Sequence, residues 1–361
     1  MVVNIKDGAN YAPTGEAEKV VAPGEFLFAA AFLDHGHIYG QTNGLVDAGA
    51  TLKYVYDPDP YKVARFVEAY PSVTVAHSFQ QILDDPALKL VNAAAVPNER
   101  AGIGVQVMES GKDYFTDKSP FTSLEQLAIV KEAVVSSGQK YAVYYAERVH
   151  NDAAWRAGEL IAGGAIGRVL QVLNLAPHRL AKNTRPDWFF NKQCYGGILT
   201  DIGSHQVEQF LTYADCSTAT VNFARVENFG HPDKPDLEDF GEMSLTGDNG
   251  ASFYTRVDWY TPDGLRTWGD GRTFIVGTEG TIELRKYLDV TGQAPSSTLI
   301  LVNGAGESTE ECLNKTGFPF FGQLIVDCIQ RTENAMSQDH AFKAAELSML
   351  AQNTADGRRC G

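Results

Sequence analysis

The stretch FLFAAAFLDHGHIYGQTNGL, residues 26–45, has the pattern of a buried strand that runs through a short turn into a helix. Nucleotide-binding α/β domains open with such a unit, and their turn carries the glycine pattern G-x-G-x-x-G. Here Phe32, Asp34 and His37 occupy the three glycine places. Gly36 falls between the last two. The stretch therefore predicts a dinucleotide-binding fold whose phosphate-binding turn is unusual.

The first part of the chain, from about residue 26 to residue 145, alternates short apolar runs with segments of helical periodicity. Strict alternation of strand and helix implies parallel strands joined by right-handed crossovers. This part is thus predicted to form an open, doubly wound parallel sheet of the α/β class. Its strands are predicted at EFLFAAAF, TLKYVYD, LVNAAAVP, DYFTDKSP and KYAVYYA.

Beyond residue 150 the rhythm changes, because several strands follow one another with turn signals such as GDNG and TPDG between them. This pattern predicts an α+β domain with a large, mostly antiparallel open sheet. Its consecutive strands are predicted at ATVNFARVENF, FGEMSLTGD, ASFYTRVDWY, RTFIVGTEGTIELRKY and STLILVN. We predict an N-terminal extension over residues 1–25, a dinucleotide-binding domain over 26–147, and a substrate-binding and oligomerisation domain over 148–361. The C-terminal helices of the last domain are free to pack back on the dinucleotide-binding domain.

Composition excludes several classes of partner. The formal net charge is −15 and the pI is near 5.0, so nucleic acid and anionic membranes are not expected to bind. The N-terminus lacks the apolar centre of a signal peptide, and no apolar stretch is long enough to span a membrane, which predicts a cytoplasmic location. The five cysteines form no C-x-x-C pair, so neither a disulfide framework nor a metal site is predicted from them.

The second predicted strand ends in Asp57, 21 residues after Gly36. An acidic side chain at this spacing accepts hydrogen bonds from the adenosine ribose and repels the 2′-phosphate of NADP, which favours NAD. Asp57 could instead simply begin the turn DPDP, since Asp and Pro are common turn residues. Backbone N–H groups around His35 and Gly36 would supply phosphate contacts whatever the side chains are.

Asp201 and His205 lie four residues apart, so on a helix they share one face. A carboxylate beside an imidazole suits a base that removes a hydroxyl proton. The spacing alone also fits a buried structural pair, half of a metal site, or a helix cap by Asp201 followed by an unrelated histidine.

Four motifs carry a specific resemblance. VNAAAVPNER contains the end of one predicted strand and GKDYFTDKSP includes the next, while YYAERVHNDAAWRAGELIAGGAIGRVLQV and GGILTDIGSHQVEQ lie further along the chain. In this order they resemble the glucose–fructose oxidoreductase, inositol dehydrogenase and rhizopine-catabolism (Gfo/Idh/MocA) family. The usual Glu-Lys-Pro turn of that family is here Asp117-Lys118-Ser119. The resemblance implies a Rossmann-type N-terminal domain and oxidation of a sugar or polyol hydroxyl with a nicotinamide cofactor.

The resemblance also implies roles for individual residues. Lys118 would position the alcohol and His205 would take its proton, with Asp201 as the partner carboxylate. The expected cofactor is NAD in preference to NADP, and a homodimer or homotetramer is expected. The cofactor would contact residues at the strand ends, namely Phe32, Asp34, His35, Gly36, His37, Asp57, Pro97, Asn98, Asp117 and Lys118.

Polar and aromatic side chains suited to a polyhydroxylated ligand surround these motifs. Arg148, His178, Arg185 and Trp188, together with His205, are predicted to bind the substrate, and His150, Arg179 and Asp187 are further candidates. Two other functions stay open at this stage. One is an enzyme that uses tightly bound NAD transiently for sugar elimination or glycoside cleavage, and the other is a non-catalytic protein that senses a cofactor or sugar.

Overall fold

A computed structural model of the protein describes Gly8, Pro13 and residues 17–292 and 296–359. Most of the predicted N-terminal extension and Cys360 lie outside the described residues. The chain divides into two compact units. The first contains the described residues from Pro13 to Tyr144 and Gly317–Ala341, and the second contains Tyr145–Thr316 and the chain from Phe342 onward.

The first unit contains a six-stranded parallel sheet in the order β3-β2-β1-β4-β5-β6. This is the strand order of a Rossmann fold, so the predicted doubly wound sheet is confirmed. The two-residue strand β3 was not predicted, since it is too short to show a periodicity. The strands are β1 Leu27–Ala31, β2 Thr51–Tyr56, β3 Thr74–Val75, β4 Leu88–Ala93, β5 Asp113–Asp117 and β6 Tyr141–Tyr144. The helices between them are α1 His37–Asp47, α2 Pro60–Ala69, α3 Phe79–Asp84, α4 Arg100–Glu109 and α5 Leu124–Ser137.

The second unit contains an eight-stranded sheet in the order β14-β13-β12-β11-β7-β10-β9-β8. Its pairings are antiparallel except for β7 with β10, so the predicted mostly antiparallel sheet is also confirmed. The helices are α6 Ala146–Val149, α7 Asp152–Ala162, α8 Lys192–Tyr195 and α9 Ile198–Ala214. The strands are β7 Val169–Pro177, β8 Ala219–Glu227, β9 Phe240–Gly247, β10 Ser252–Asp258, β11 Arg272–Gly277, β12 Gly280–Arg285, β13 Thr298–Asn303 and β14 Gly306–Glu311.

Two details of the predicted second sheet are corrected. The run RTFIVGTEGTIELRKY, predicted as one strand, forms the hairpin of β11 and β12, with its turn at Thr278 and Glu279. Strand β14 was not predicted, because its sequence GESTEE is polar and mostly exposed and therefore lacks an apolar alternation. It pairs with β13 at the edge of the sheet.

Two helices end the chain, α10 Pro319–Gln330 and α11 Gln338–Arg359. Helix α10 packs on α1 within the first unit, where a Cβ atom on Gly44 would lie 2.3 Å from the ring of Phe321. Gly44 therefore allows the close approach of these two helices. None of the helices in the described part of the chain is long and apolar enough to cross a membrane.

Candidate active site

The carboxylate of Asp117, at the end of β5, is fully buried and accepts several hydrogen bonds. Its Oδ1 atom accepts from the Lys118 N–H at 2.8 Å and lies 2.9 Å from Nδ1 of His37. Its Oδ2 atom lies 3.2 Å from Nη2 of Arg100 and 3.3 Å from Nδ1 of His35. Burial alone would raise the pKa of Asp117, but the neighbouring His37, Arg100 and His35 hold it well below its ordinary value. Asp117 is thus ionised and joins the first turn to the end of β5.

Arg100 fixes the backbone that follows Asp117. Its Nη1 atom donates to the carbonyl oxygens of Lys118 and Ser119, and its Nε atom donates to the carbonyl of Ala95 at 2.7 Å. Arg100 is 1% exposed. Sequence reasoning missed this residue, although it directly follows the PNE segment that begins the helix region after β4.

Lys118 lies at the carboxyl end of β5 and is 6% exposed. The peptide bond between Lys118 and Ser119 is cis. A lysine that follows the carboxyl end of an interior strand of a parallel sheet lies where ligands of such sheets bind.

The first turn keeps a glycine-like backbone at Phe32, whose φ angle is 55°. This left-handed conformation is unusual for a bulky residue. The ring packs edge-on against Phe79 and Tyr56, with centroid distances of 4.8 Å and 5.9 Å. The Phe32 carbonyl accepts from the Ala94 N–H at 3.1 Å. Packing of the ring against Phe79 and Tyr56 therefore helps to hold phenylalanine in this left-handed conformation at the first glycine place.

The acidic residue of the turn, Asp34, is paired with Lys62 on α2, whose Nζ lies 2.5 Å from Oδ1 of Asp34. Lys62 also lies 3.6 Å from Oδ1 of Asp57. The positive charge of Lys62 therefore offsets the charge of Asp34 that would otherwise repel a diphosphate. Lys62 was not among the site residues predicted from the sequence.

Asp57 is buried after the end of β2 and accepts the N–H of Leu33 at 2.6 Å and the N–H of Asp59 at 2.8 Å. The hydrogen bond from the Asp59 N–H closes the Asx turn that is expected of an aspartate at the start of DPDP. Burial raises the pKa of the Asp57 carboxyl. Asp57 thus has a structural role in both the first turn and its own turn, whether or not it also binds a ribose.

Some backbone N–H groups of the first turn are hydrogen-bonded within the protein, and others remain available to a ligand. The N–H of His35 donates to the Ala94 carbonyl at 2.9 Å, and that of His37 donates to Nδ1 of His35 at 3.2 Å. The N–H groups of Asp34 and Gly36 have no hydrogen-bond partner among the described residues. Of the two residues named from sequence as backbone phosphate contacts, only Gly36 therefore keeps its N–H for a ligand.

Pro97 and Asn98 begin a short 3₁₀ turn, Pro97–Glu99, which three residues separate from the end of β4. The carbonyl of Asn98 accepts from Nε2 of Gln126 at 2.9 Å, which ties the turn to α5. The side-chain Oδ1 atom of Asn98 is buried and has no hydrogen-bond partner within the described part of the chain. This oxygen can accept a hydrogen bond from a ligand.

In the second unit, the predicted pair lies on α9, with Asp201 in its first turn and His205 one turn later. They are 9% and 2% exposed. The helix begins after Gly197, whose φ angle is 95° and where a Cβ atom would lie 2.3 Å from Cδ of Gln352. Gln352 in turn accepts the N–H of Leu199 at 3.0 Å. The glycine is therefore required for the start of the helix that carries the pair.

A carboxylate that sequence reasoning missed, Glu147, lies close to this helix. Its Oε2 atom accepts from Nε2 of Gln206 at 2.9 Å and from Nζ of Lys286 at 3.3 Å. Its Oε1 atom lies 3.5 Å from Nε2 of His178. Burial opposes its ionisation, but the charges of Lys286, His205 and His178 lower the pKa of Glu147 to about 2. His205 therefore interacts electrostatically with Glu147. The residues that contact Glu147 lie far from it in the sequence.

The residues predicted to bind substrate fall into two groups. Arg148 forms a buried ion pair with Glu208, with Nε 2.7 Å from Oε1, so its guanidinium is engaged inside the unit. His178 and Arg185 instead share an aromatic neighbour, Trp259. The His178 ring centroid lies 5.5 Å from that of Trp259, and Cζ of Arg185 lies 5.4 Å from the same ring.

The remaining candidates are more dispersed. Trp188 contacts Phe189 at 6.0 Å between centroids, and Phe189 packs against Trp259 at 5.1 Å. Arg179 is buried and pairs with Asp263 at 2.8 Å, His150 is buried, and Asp187 is exposed. The structure thus brings His178, Arg185 and Trp188 to one aromatic cluster around Trp259 and Phe189.

Comparison with known proteins agrees with the architecture. Residues 155–283 match the family description GFO/IDH/MocA C-terminal domain. A presumed oxidoreductase from Erwinia carotovora atroseptica SCRI1043 is 48% identical, with a TM-score of 0.88 over 91% of this chain and 98% of that one. The chain belongs to the Gfo/Idh/MocA family of oxidoreductases, as its motifs predicted.

More distant relatives carry names with stated ligands. A levoglucosan dehydrogenase solved in complex with NADH and levoglucosan has a TM-score of 0.76 at 17% identity, over 92% of this chain and 97% of that one. The scyllo-inositol 2-dehydrogenase (NADP(+)) IolW of Bacillus subtilis (strain 168) is 22% identical over 42% of this chain and 44% of its own length. The chain thus matches less than half the length of this curated relative.

Proposed function

We propose that this protein is an NAD-dependent dehydrogenase that oxidises a hydroxyl group of a sugar, a polyol or a sugar derivative. The observation that carries the proposal is Lys118, a buried cation held at the carboxyl end of β5 by the ionised Asp117 and by Arg100. Family membership and the NADH and levoglucosan complex of a structural relative support it. In this proposal the first unit binds the cofactor and the second binds the substrate.

The residues of the first turn fit a dinucleotide despite the missing glycines. Phe32 keeps the left-handed backbone, and the N–H groups of Asp34 and Gly36 are available to phosphate oxygens. Lys62 offsets the charge of Asp34. When bound, a nicotinamide supplies the hydride acceptor. Asp57 retains further lone pairs for ribose hydroxyls, since a carboxylate has about four acceptor sites.

The chain's own residues would perform the remaining chemistry. Lys118 would hold the substrate hydroxyl and stabilise negative charge that develops on its oxygen. His205 would remove the hydroxyl proton as a general base. Asp201 and Glu147 would favour the imidazolium that results, because a nearby negative charge stabilises the charged form of an imidazole.

The test is the appearance of NADH at 340 nm when the full chain is mixed with NAD and a panel of sugars and polyols. Net formation of NADH with at least one of these compounds would support the proposal. This activity should be lost in Lys118→Met and kept in the control Lys131→Met, at an exposed position. If the protein retains NAD tightly and converts the substrate without net formation of NADH, it is instead the enzyme that uses NAD transiently. Cofactor binding without turnover of any kind would favour the sensing protein.

We propose that NAD is preferred to NADP, because Asp57 would repel a 2′-phosphate. Lys62, at 3.6 Å, weakens this repulsion. The preference is therefore expected to be moderate.

We also propose that the protein is a homodimer or homotetramer that associates through the open face of the second sheet. Phe274 and Val276 on β11 alternate with buried residues of that strand. Val302 on β13 shares their face, because Thr281 on β12 is paired with both Val276 and Val302. Phe274, Val276 and Val302 are 36%, 39% and 42% exposed. An apolar sheet face of this kind is typically covered by a partner.

A further inference from the structure

We propose that His35, His37 and Asp117 form a binding site for one divalent transition-metal ion such as Zn²⁺. The site lies in the first unit, where the turn after β1 meets the end of β5. The inference goes beyond the proposed function and does not rest on it, because a metal ion alone can test it.

The three side chains bring their ligand atoms together. Nδ1 of His37 lies 2.9 Å from Oδ1 of Asp117, and Nδ1 of His35 lies 3.3 Å from Oδ2 of Asp117. One ligand atom from each residue lies within 4.8 Å of the other two. Two ligand atoms of one tetrahedral zinc ion, each about 2.0–2.2 Å from the metal, are about 3.3–3.6 Å apart. The cluster of His35, His37 and Asp117 is therefore close to the size that a metal ion requires.

The contact between His35 and Asp117 lacks a hydrogen between its two atoms. Nδ1 of His35 accepts the backbone N–H of His37 at 3.2 Å, so this nitrogen presents a lone pair. Burial lowers the pKa of His35 well below its usual value, which keeps the ring neutral. Oδ2 of the ionised Asp117 is also an acceptor. Two acceptors thus face each other at 3.3 Å, and a cation between them would bind both.

The hydrogen bond of His37 is compatible with the same site. In the absence of a metal ion, Nδ1 of His37 donates to Oδ1 of Asp117 at 2.9 Å. Metal ions bind neutral imidazole and ionised carboxylate, so an ion would replace this hydrogen, which is released. The ion would also take the lone pair of His35 that now accepts the His37 N–H. That bond is long, so its loss costs little.

Neighbouring groups hold the carboxylate in place. Oδ1 of Asp117 accepts the N–H of Lys118 at 2.8 Å, and Oδ2 lies 3.2 Å from Nη2 of Arg100. Carboxylates that bind metal ions are typically fixed by such outer hydrogen bonds. Lys118 and Arg100 are cations, whereas the three ligands carry one negative charge between them. A bound divalent ion would thus leave an excess of positive charge, which favours an anionic oxygen as its next ligand.

The types of ligand select the class of metal. Two imidazole nitrogens and one carboxylate suit Zn²⁺, Co²⁺, Ni²⁺ and Fe²⁺, whereas Mg²⁺ and Ca²⁺ prefer oxygen ligands. Three protein ligands leave a coordination position open, as in catalytic zinc sites. The side chains of His35 and His37 are 13% and 11% exposed, so a small ion and an oxygen ligand can reach them.

The test is calorimetric titration of the full chain with Zn²⁺, using protein that carries no affinity tag and has been treated with a chelator. Binding of one ion per chain with submicromolar affinity is expected. Co²⁺ should bind at the same site with the visible absorption of a four-coordinate complex, and Mg²⁺ should not bind. Failure of both Zn²⁺ and Co²⁺ to bind would overturn the proposal, as would binding of Mg²⁺ as tight as that of Zn²⁺.

Substitutions assign the ion to these ligands. His35→Gln and His37→Gln should each weaken Zn²⁺ binding by more than about 10-fold, since loss of even an outer hydrogen-bond partner costs about 10–100-fold. The matched control His77→Gln, at an exposed histidine of the same unit, should bind Zn²⁺ like the parent. Thermal unfolding without metal reports whether each variant is folded, and one folded variant is enough to decide. An unchanged Zn²⁺ affinity in a folded His35→Gln or His37→Gln protein would contradict the assignment.

A second measurement tests the open coordination position, and this part alone rests on the proposed cofactor. NAD added to the Co²⁺-bound protein should change the visible spectrum, because a phosphate oxygen would become a ligand of the ion. If NAD binds by calorimetry and the spectrum stays the same, the open position does not take its phosphate. The same change with inorganic phosphate at equal concentration would assign the position to a free anion. If no form of the protein binds NAD, the proposed function fails, while the Zn²⁺ titration still decides the metal site.

Discussion

Nδ1 of His37 lies 2.9 Å from Oδ1 of Asp117, and this contact joins the start of α1 to the end of β5. Eighty positions separate the two residues in sequence. Asp117 also holds Arg100 and the N–H of Lys118. One buried carboxylate thus fixes both the turn expected to bind a diphosphate and the lysine expected to act on the substrate.

Arg100 is predicted to be essential for stability. Arg100→Met should lower the free energy of unfolding by about 3–5 kcal/mol, because it leaves the buried Asp117 and three carbonyl groups without their shared partner. Denaturant titration followed by circular dichroism measures this. The control Arg65→Met, at an exposed position of α2, should change the free energy of unfolding by less than about 0.5 kcal/mol. Equal effects of the two substitutions would contradict the role of Arg100.

Glu147 is predicted to contribute to acid sensitivity. Its pKa in the folded protein is about 2, below its ordinary value of about 4.3. A lowered pKa gives stability that is complete above the ordinary value and is lost as the pH falls towards 2. Glu147→Gln should therefore be less stable than the parent at pH 6, since Lys286 then lacks its carboxylate. The difference in the free energy of unfolding should shrink between about pH 5 and pH 2. A constant difference across this range would rule out the ionised state of Glu147 as its origin.

His205 is predicted to act in proton transfer and not in cofactor binding. His205→Ala should lower kcat by about 10²-fold or more, with the affinity for NAD nearly unchanged. Asp201→Asn should have a smaller effect and should lower the apparent pKa of the base in the pH–rate profile. Steady-state kinetics and calorimetry measure the two effects. A folded His205→Ala protein with near-normal kcat would end the proposed mechanism.

Asp57 is predicted to set the cofactor preference. Asp57→Ser should weaken NAD binding more than NADP binding, because it removes the charge that repels a 2′-phosphate. Asp57 also accepts the N–H of Leu33, so some loss of stability is expected in the same variant. Lys62→Met serves as the comparison, since removal of that cation should disfavour NADP further. Tighter binding of NADP than NAD by the parent would remove Asp57 from its proposed role.

The open face of the second sheet is predicted to mediate self-association. Val276→Asp should shift the protein towards the monomer without a loss of secondary structure, because Val276 is 39% exposed within one chain. Light scattering at micromolar concentration measures the mass. Thr281→Asp on the neighbouring strand, opposite Val276, offers a second disruption of the same face. A parent that is already monomeric would defeat the proposal.

Local sequence determined the order of secondary structure and the class of each sheet. The apolar run before Phe32 and the helical spacing after Gly36 are local patterns, so β1, its turn and α1 were predicted correctly. The polar strand β14 and the two-residue strand β3 carry no such pattern. These two strands form because a neighbouring strand supplies hydrogen-bond partners for their backbone. A short segment of sequence does not reveal which strand will be the neighbour.

Only the tertiary structure decided which charges meet. Lys62 pairs with Asp34 across 28 positions, and Lys286 pairs with Glu147 across 139 positions. Spacing along a helix could suggest the pair Asp201 and His205, but it could not reveal Glu147, because that contact depends on how separate elements pack. The sequence by itself therefore determined the fold and the candidate residue types, while packing decided which buried carboxylate compensates each cation. The physical reason is that burial removes water, so every charge inside must find a partner wherever the fold places one.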